Sequence, residues 1–400
     1  MPRLRIAAGL AVITAGLPVA LPAQQAAVIA EIPFVLQRNK ILVRGEINGR
    51  PLTLVFDTGS PPVVLTSPDL IGPLGLEAQG QAPIGGGGGG PRPMATITSA
   101  GTVSLGGVSW EEPRFIAIPL DTTFARDAGY RFDGIFGLSL LSRYVVEIDF
   151  PASVLRLYPS AGFQAPPGAV ELPIWLENGH PHLTARIQVG DEPAREVELV
   201  VDTGASLALA LARESDAALT LPDRRRRARI GHGVAGPVLG EVGVVRELSL
   251  GSLRVGNIVA AFPDPGMGIT PGAAGNLGSD LLRRFRVTFD YAGKRMLLEA
   301  GGTPPRPFTW HGSGIRLRAE GLGYDTVTVA EVEEGSPAAL AGIQPGDRIE
   351  AVDGTDAGAL RLAGVEERFR VAPGETREAR VTFRRNGVSR TVTVKLTTGF

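Results

Sequence analysis

The chain contains no cysteine. That absence excludes disulfide staples, a thiolate metal site, a cysteine nucleophile and a lipid-modified cysteine anchor. Histidine occurs only at 180, 182, 232 and 311, a poor spacing for a metal cluster, so neither a metal nor another cofactor is expected. An excess of charge of either sign is missing too. The formal net charge is -1 with no large acidic or basic block, which gives no footprint for a nucleic-acid partner. There is no Ser/His/Asp order and no phosphate-loop motif. After residue 23 no apolar run is long enough to span a bilayer.

Glycine (53) and proline (32) are plentiful among the 400 residues, and long helical patterns are few, which points to a β-rich fold with many turns. The length suggests two or three domains, enough to bury a core without disulfides. The opening "MPRLRIAAGLAVITAGLPVALPAQQ" has a basic start at Arg3 and Arg5, an apolar stretch from Ile6 to Val19, and small residues at Ala20 and Ala23. This is the pattern of a secretory signal peptide over 1–23, so a periplasmic or secreted protein is expected; left uncleaved, the segment would be an N-terminal anchor.

Residues 31–300 hold an internal duplication. "EIPFVL" (31–36) matches "ELPIWL" (171–176), and "LTLVFDTGS" matches "VELVVDTGAS". "PIGGGGGGP" (83–91) corresponds to "RIGHGVAGP" (229–237), and "GIFGLSLLSRYVVEIDF" (from 134) to "GNLGSDLLRRFRVTFDY" (from 275). Spacing holds as well: Asp57 to Ile84 is 27 residues and Asp202 to Ile230 is 28. The units read as strands broken by Asn-Gly and Pro-Ala turns, each with one short helix before a strand. Two similar β-lobes follow, at 24–165 and 166–302, joined by the Pro/Gly-rich "SAGFQAPPGAV".

A single Asp-Thr-Gly reads first as a turn. Two copies, each after a buried-looking strand of a duplicated unit, read differently. A two-fold relation between lobes would bring Asp57 and Asp202 together, where only one proton is shared and one apparent pKa rises as the other falls. Such a pair activates water and protonates a leaving nitrogen. Gly59 and Gly204 would permit close backbone approach, and Thr58 and Thr203 would link the paired loops.

On these motifs the chain resembles the aspartic peptidases, in the form of two fused retropepsin-like units. The resemblance implies a mainly β fold of two β-barrel lobes about a pseudo-two-fold axis. It implies catalysis by Asp57 and Asp202, supported by Thr58, Gly59, Ser60, Thr203 and Gly204. It implies flaps at Ile84, Gly85, Gly86 and Gly87 and at Ile230, Gly231, His232 and Gly233, and an extended peptide or protein as substrate. Three departures are visible. Ser60 is matched by Ala205, so Asp202 is expected to lack a donor that Asp57 has. Asn276 replaces an apolar residue, and the six glycines at 85–90 suggest a floppy flap that is costly to order. The arginine run "DRRRRAR" (223–229) reads as a solvated basic loop, or else as an attractant for acidic substrate residues; His180 and His182 read as turn residues.

From 303 to 400 the pattern changes. "GSPAALAGIQPGDRIEAVDG" (335–354) resembles a PDZ domain, a β-sandwich with two helices that takes a C-terminal peptide as an added strand. Gly312, Ser313, Gly314 and Ile315 fit the carboxylate loop, "ALRLAGVEERFRV" (359–371) the groove helix, and "GLGY" (321–324) a hairpin turn. The whole is expected to be an exported aspartic endopeptidase with a PDZ domain for recognition or regulation. The alternative is a non-catalytic periplasmic peptide-binding adaptor.

Overall fold

The computed structural model describes residues 26–60, 63–120, 122–213, 220–269, 272–301 and 306–400. The expected signal peptide lies outside them. The chain is mainly β, and the described residues include five α-helices: α1 (Thr122–Ala128), α2 (Leu138–Leu141), α3 (Ser279–Leu282), α4 (Pro337–Leu340) and α5 (Ala357–Glu367).

Each lobe is assembled the same way. In the first, the strands Ala30–Gln37, Lys40–Ile47 and Arg50–Phe56 run as an antiparallel meander. Its turns are two-residue hairpins with positive φ at both positions, Arg38 and Asn39, then Asn48 and Gly49. Asn and Gly tolerate that conformation, which matches the strand twist. The strand Gly134–Phe136 then lies parallel to Arg50–Phe56, with Val63–Leu65 antiparallel on its other side. Phe56 and Phe136 meet edge to face at 5.5 Å. In the second lobe the strand Gly275–Gly278 lies parallel to Arg195–Asp202, with Leu209–Leu211 beyond it. A loop ending one strand is thus clamped by a second strand inserted alongside, twice.

The lobes share a sheet. Val145–Asp149 of the first pairs antiparallel with Phe285–Asp290 of the second, Val146 facing Phe289. Outward from this seam each lobe contributes the same sequence of strands: Val154–Tyr158 then Ala30–Gln37 on one side, Arg295–Ala300 then Val170–Pro173 on the other. One apolar core runs through both lobes and includes Phe56, Phe136, Leu277 and Phe289, all fully buried. Two-fold arrangement of the Asp-Thr-Gly loops follows from this seam, because each loop precedes the inserted strand that feeds α2 or α3 and then the shared sheet.

The C-terminal domain has its own core of Val327, Val365, Phe369 and Phe383. Its sheet begins with Ile315–Glu320, paired on one side with Thr326–Val332. The expected turn at 321–324 joins these two strands. Capping sets its helices: Ser336 Oγ accepts the Ala339 amide at α4, and Asp356 Oδ1 accepts the Ala359 amide at α5 (2.8 Å). Asn386 and Gly387, both at positive φ, close the final hairpin. The last residue, Phe400, is buried in the core of the lobes rather than in that of its own domain.

Candidate active site

The strand Arg50–Phe56 delivers Asp57 at its end, and Arg195–Asp202 delivers Asp202 at the matching place. Behind them the two threonines exchange hydrogen bonds across the axis. The Thr58 amide donates to Thr203 Oγ1 (2.9 Å) and the Thr203 amide donates to Thr58 Oγ1 (3.0 Å). Each hydroxyl then donates to the strand of the opposite lobe, Thr58 to the Val201 carbonyl (2.6 Å) and Thr203 to that of Phe56 (3.4 Å). Both threonines are fully buried. The amide and hydroxyl of both threonines therefore depend on the other lobe, so the loops cannot separate without leaving buried donors unpaired.

Above the knot the carboxylates converge on the glycines. A β-carbon placed on Gly204 would stand 2.1 Å from Asp57 Oδ2, and one on Gly59 would stand 2.9 Å from Asp202 Oδ1 and 3.1 Å from Asp57 Oδ1. Only glycine leaves room for the two side chains to meet there. Gly137, at the end of the inserted strand, is required in the same way, since its β-carbon would overlap the Asp57 carbonyl at 1.8 Å.

The donors around the pair are unequal. Asp57 Oδ1 accepts the Gly59 amide (2.8 Å). Asp202 Oδ1 accepts the Ala205 amide (2.9 Å), and its Oδ2 accepts Asn276 Nδ2 (3.0 Å). The expectation that Asp202 lacks a side-chain donor is thus corrected: the hydroxyl missing at Ala205 is replaced by an amide from the inserted strand. Burial pushes the Asp57 carboxyl up to about 7, helped by the neighbouring Asp202 charge and by a hydrogen bond with Asp202, and opposed by Lys40 and the Gly59 amide.

Two basic side chains flank the pair: Lys40, which sequence reading did not single out, and His180, which it placed in a turn. Ile41 pairs with Phe56, so the next step of that register sets Lys40 beside Asp57. His182 pairs with Val200, and the same extension sets His180 beside Asp202. Burial lowers the Lys40 pKa, with the Asp57 and Asp202 charges opposing. Burial also lowers that of His180, with Asp202 opposing and His182 adding to the fall. The strand pairing is the signal that finds both residues. His180 and His182 open the strand His180–Gln188 rather than lying in a turn, which is made by Asn178 and Gly179.

The expected flaps are two hairpins. The first joins Ala78–Pro83 to Met94–Thr98, and the second joins Arg225–Gly233 to Gly236–Leu250. Their tips bond to each other: Ala235 donates to the Gly87 carbonyl (2.9 Å), Gly90 to that of Ala235 (2.7 Å) and Gly89 to that of Pro237 (3.2 Å). Ile84 and Val234 pack against one small cluster of Val64, Ala95 and Ile118, and Ile230 is buried. The glycine run is therefore a docked strip, not a floppy one. At Gly88 a β-carbon would lie 2.4 Å from the Ala235 carbonyl carbon, and the backbone there has φ +125. Backbone-to-backbone contact at that distance excludes side chains.

The arginine run is corrected as well. Residues 225–229 form strand rather than a free loop, and their guanidiniums are engaged within the chain. Arg225 pairs with Glu241 (3.0 Å), Arg226 with Glu333, Arg227 with Asp264 and Arg229 with Asp127 (2.9 Å). His232 Nδ1 also contacts Asp127 (3.2 Å).

In the C-terminal domain, Gly312 to Ile315 lead into the edge strand as expected. The Gly312 amide donates to the Phe369 carbonyl (2.8 Å) and the Ile315 amide to Ser313 Oγ (3.3 Å), while the Gly314 carbonyl accepts the Glu333 amide (2.8 Å). The edge strand and α5 lie against each other, the two elements between which the expected peptide groove would run.

The aspartyl protease family model matches residues 43–140 and 184–281, which contain the two Asp-Thr-Gly loops and the inserted strands. The PDZ domain model matches residues 328–381. The chain is two fused aspartyl protease domains followed by a PDZ domain. No curated protein matches it significantly. Among the described residues no helix of this two-lobed protease is long and apolar enough to cross a membrane.

Proposed function

We propose that the chain is an exported aspartic endopeptidase in which Asp57 and Asp202 hydrolyse peptide bonds of an extended substrate. The observation that carries this reading is the pair of carboxylates meeting over Gly59 and Gly204, with Asp57 pushed up to about 7 and Asp202 held by two donors. In this reading Asp57 carries the shared proton. Asp202 takes a proton from water as its oxygen attacks the carbonyl carbon, and Asp57 donates to the carbonyl oxygen. The tetrahedral diol then collapses: the C–N bond breaks, the nitrogen takes a proton, and the pair returns to one shared proton. No metal and no covalent intermediate is required. The two hairpins would close over the substrate, and the PDZ domain would bind peptide ends. Export is supported by the leader-like 1–23.

The test is cleavage of unstructured polypeptide from mildly acidic to neutral pH by the unsubstituted protein, Asp57→Asn and Asp202→Asn. Loss of cleavage in both variants is expected. Equal cleavage by all three would remove the pair from the chemistry, and no cleavage by any of them would leave the adaptor reading. Amino-terminal sequencing of the protein recovered from outside the cytoplasm tests export, with a new terminus near Gln24 expected.

A further inference from the structure

The PDZ groove faces the protease, and one short segment of the first lobe touches both of its walls. On the edge strand, Asp127 of α1 pairs with Arg316 (2.9 Å) and Arg126 with Glu320 (3.7 Å). On the helix side, Gly129 lies so close to Leu362 of α5 that a β-carbon there would stand 2.8 Å from that of Leu362. Arg38 closes the end: it pairs with Glu366 of α5 (2.8 Å) and donates to the Asp127 carbonyl. Arg38 holds a left-handed backbone (φ 49) uncommon for its residue type, and it does so in the hairpin turn that leads directly to Lys40.

The same segment reaches the second flap. The Asp127 carboxylate, only 12% exposed, also receives Arg229 (2.9 Å) and His232 (3.2 Å) from the strand Arg225–Gly233. One turn earlier on α1, Phe124 meets the His232 ring edge to face at 5.6 Å. One carboxylate therefore ties the groove wall to the flap strand, through partners on two different domains.

We infer that the PDZ groove is closed from within by Arg126–Gly129, the end of α1 and the residue after it, and that a peptide carboxyl-terminus entering the groove displaces this segment and loosens the second flap. This rests on the peptidase reading for its consequence, which is faster cleavage. The occlusion itself does not. A site whose competent form is a minor population binds with an affinity reduced by that fraction, and a change that removes the internal occupant restores it. Contacts released in the flap lower the barrier to opening the cleft, a step that gates turnover in enzymes with closing hairpins.

The test uses the full chain carrying Asp57→Asn, with and without Asp127→Ala. The probe is a pool of fluorescein-labelled heptapeptides randomised at the last three positions, with free or amidated carboxyl-termini. Removal of Asp127 should tighten binding of the free-carboxylate pool at least fivefold and leave the amidated pool unaffected. Equal affinities, or an equal gain for the amidated pool, would overturn occlusion. A second measurement needs no change at 127. Saturating free-carboxylate pool should raise amide hydrogen exchange at 229–237 in the Asp57→Asn chain; unchanged exchange there would overturn the coupling. Neither readout involves turnover, so failure of the peptidase reading and failure of this one remain distinguishable.

Discussion

Replacing Asp57 with asparagine should stabilise the protease lobes at pH 8 and change them little at pH 4. A carboxyl whose folded pKa lies above its unfolded value favours folding in its neutral form. That contribution is complete below the unfolded value of 3.8 and is lost as pH rises through the folded value of about 7. Burial beside Asp202 causes the rise, so the charged form is penalised at neutral pH and above. The rise from 3.8 to about 7 sets a ceiling of about 4 kcal/mol. The carboxylates are part-exposed, so about 1–3 kcal/mol is the working expectation. Asparagine keeps the shape and removes the charge. Calorimetric unfolding at both pH values, read on the transition of the lobes, gives the difference directly. A gain of equal size at pH 4, or a lower midpoint at pH 8, would refute the assignment of burial and like-charge contact as its cause.

Lys40→Met removes a charge that lowers the Asp57 pKa, so the basic limb of the kcat/KM profile should move to higher pH; an unmoved limb would show that Lys40 does not act on the pair. Asn276→Leu deletes a hydrogen bond to a carboxylate worth about 1.5–3 kcal/mol, and peptide cleavage should fall roughly 10- to 100-fold with little change in unfolding midpoint. Thr58→Val leaves the Thr203 amide and the Val201 carbonyl unpaired in the core, at a cost of about 2–4 kcal/mol by urea unfolding, while Thr58→Ser should recover most of it.

Much of this was legible in the sequence because the duplication makes the chain its own alignment. The repeated strand, loop and inserted strand announce two like lobes, and the loops name Asp57 and Asp202. Hairpins at Asn48 and Asn386 could be read from local backbone preference alone. Features that depend on pairing between distant segments could not. Lys40 becomes a neighbour of Asp57 only once Ile41 is known to face Phe56. The arginine run looks solvated until Glu241, Asp264 and Glu333 arrive from elsewhere in the chain. Six glycines read as flexibility because the second tip that packs on them lies some 145 residues away.

The unequal carboxylates have a cause broader than Ser60 and Ala205. On the outer face of the first lobe, Leu42 and Ile135 flank Val55, and Tyr130 and Phe132 cover them. At the matching places in the second lobe, His182 and Asn276 flank Val200. The duplicated scaffold has thus diverged toward an apolar cover beside Asp57 and a polar one beside Asp202. Asn276 Oδ1, His180 Nδ1 and His182 Nε2 are buried without a hydrogen-bond partner among the described residues. An apolar wall disfavours the charged form, and a polar wall with a donating amide favours it. One scaffold, copied and then lined differently, thus gives Asp57 an apolar wall and Asp202 a polar one, the difference on which the proposed acid and base roles rest.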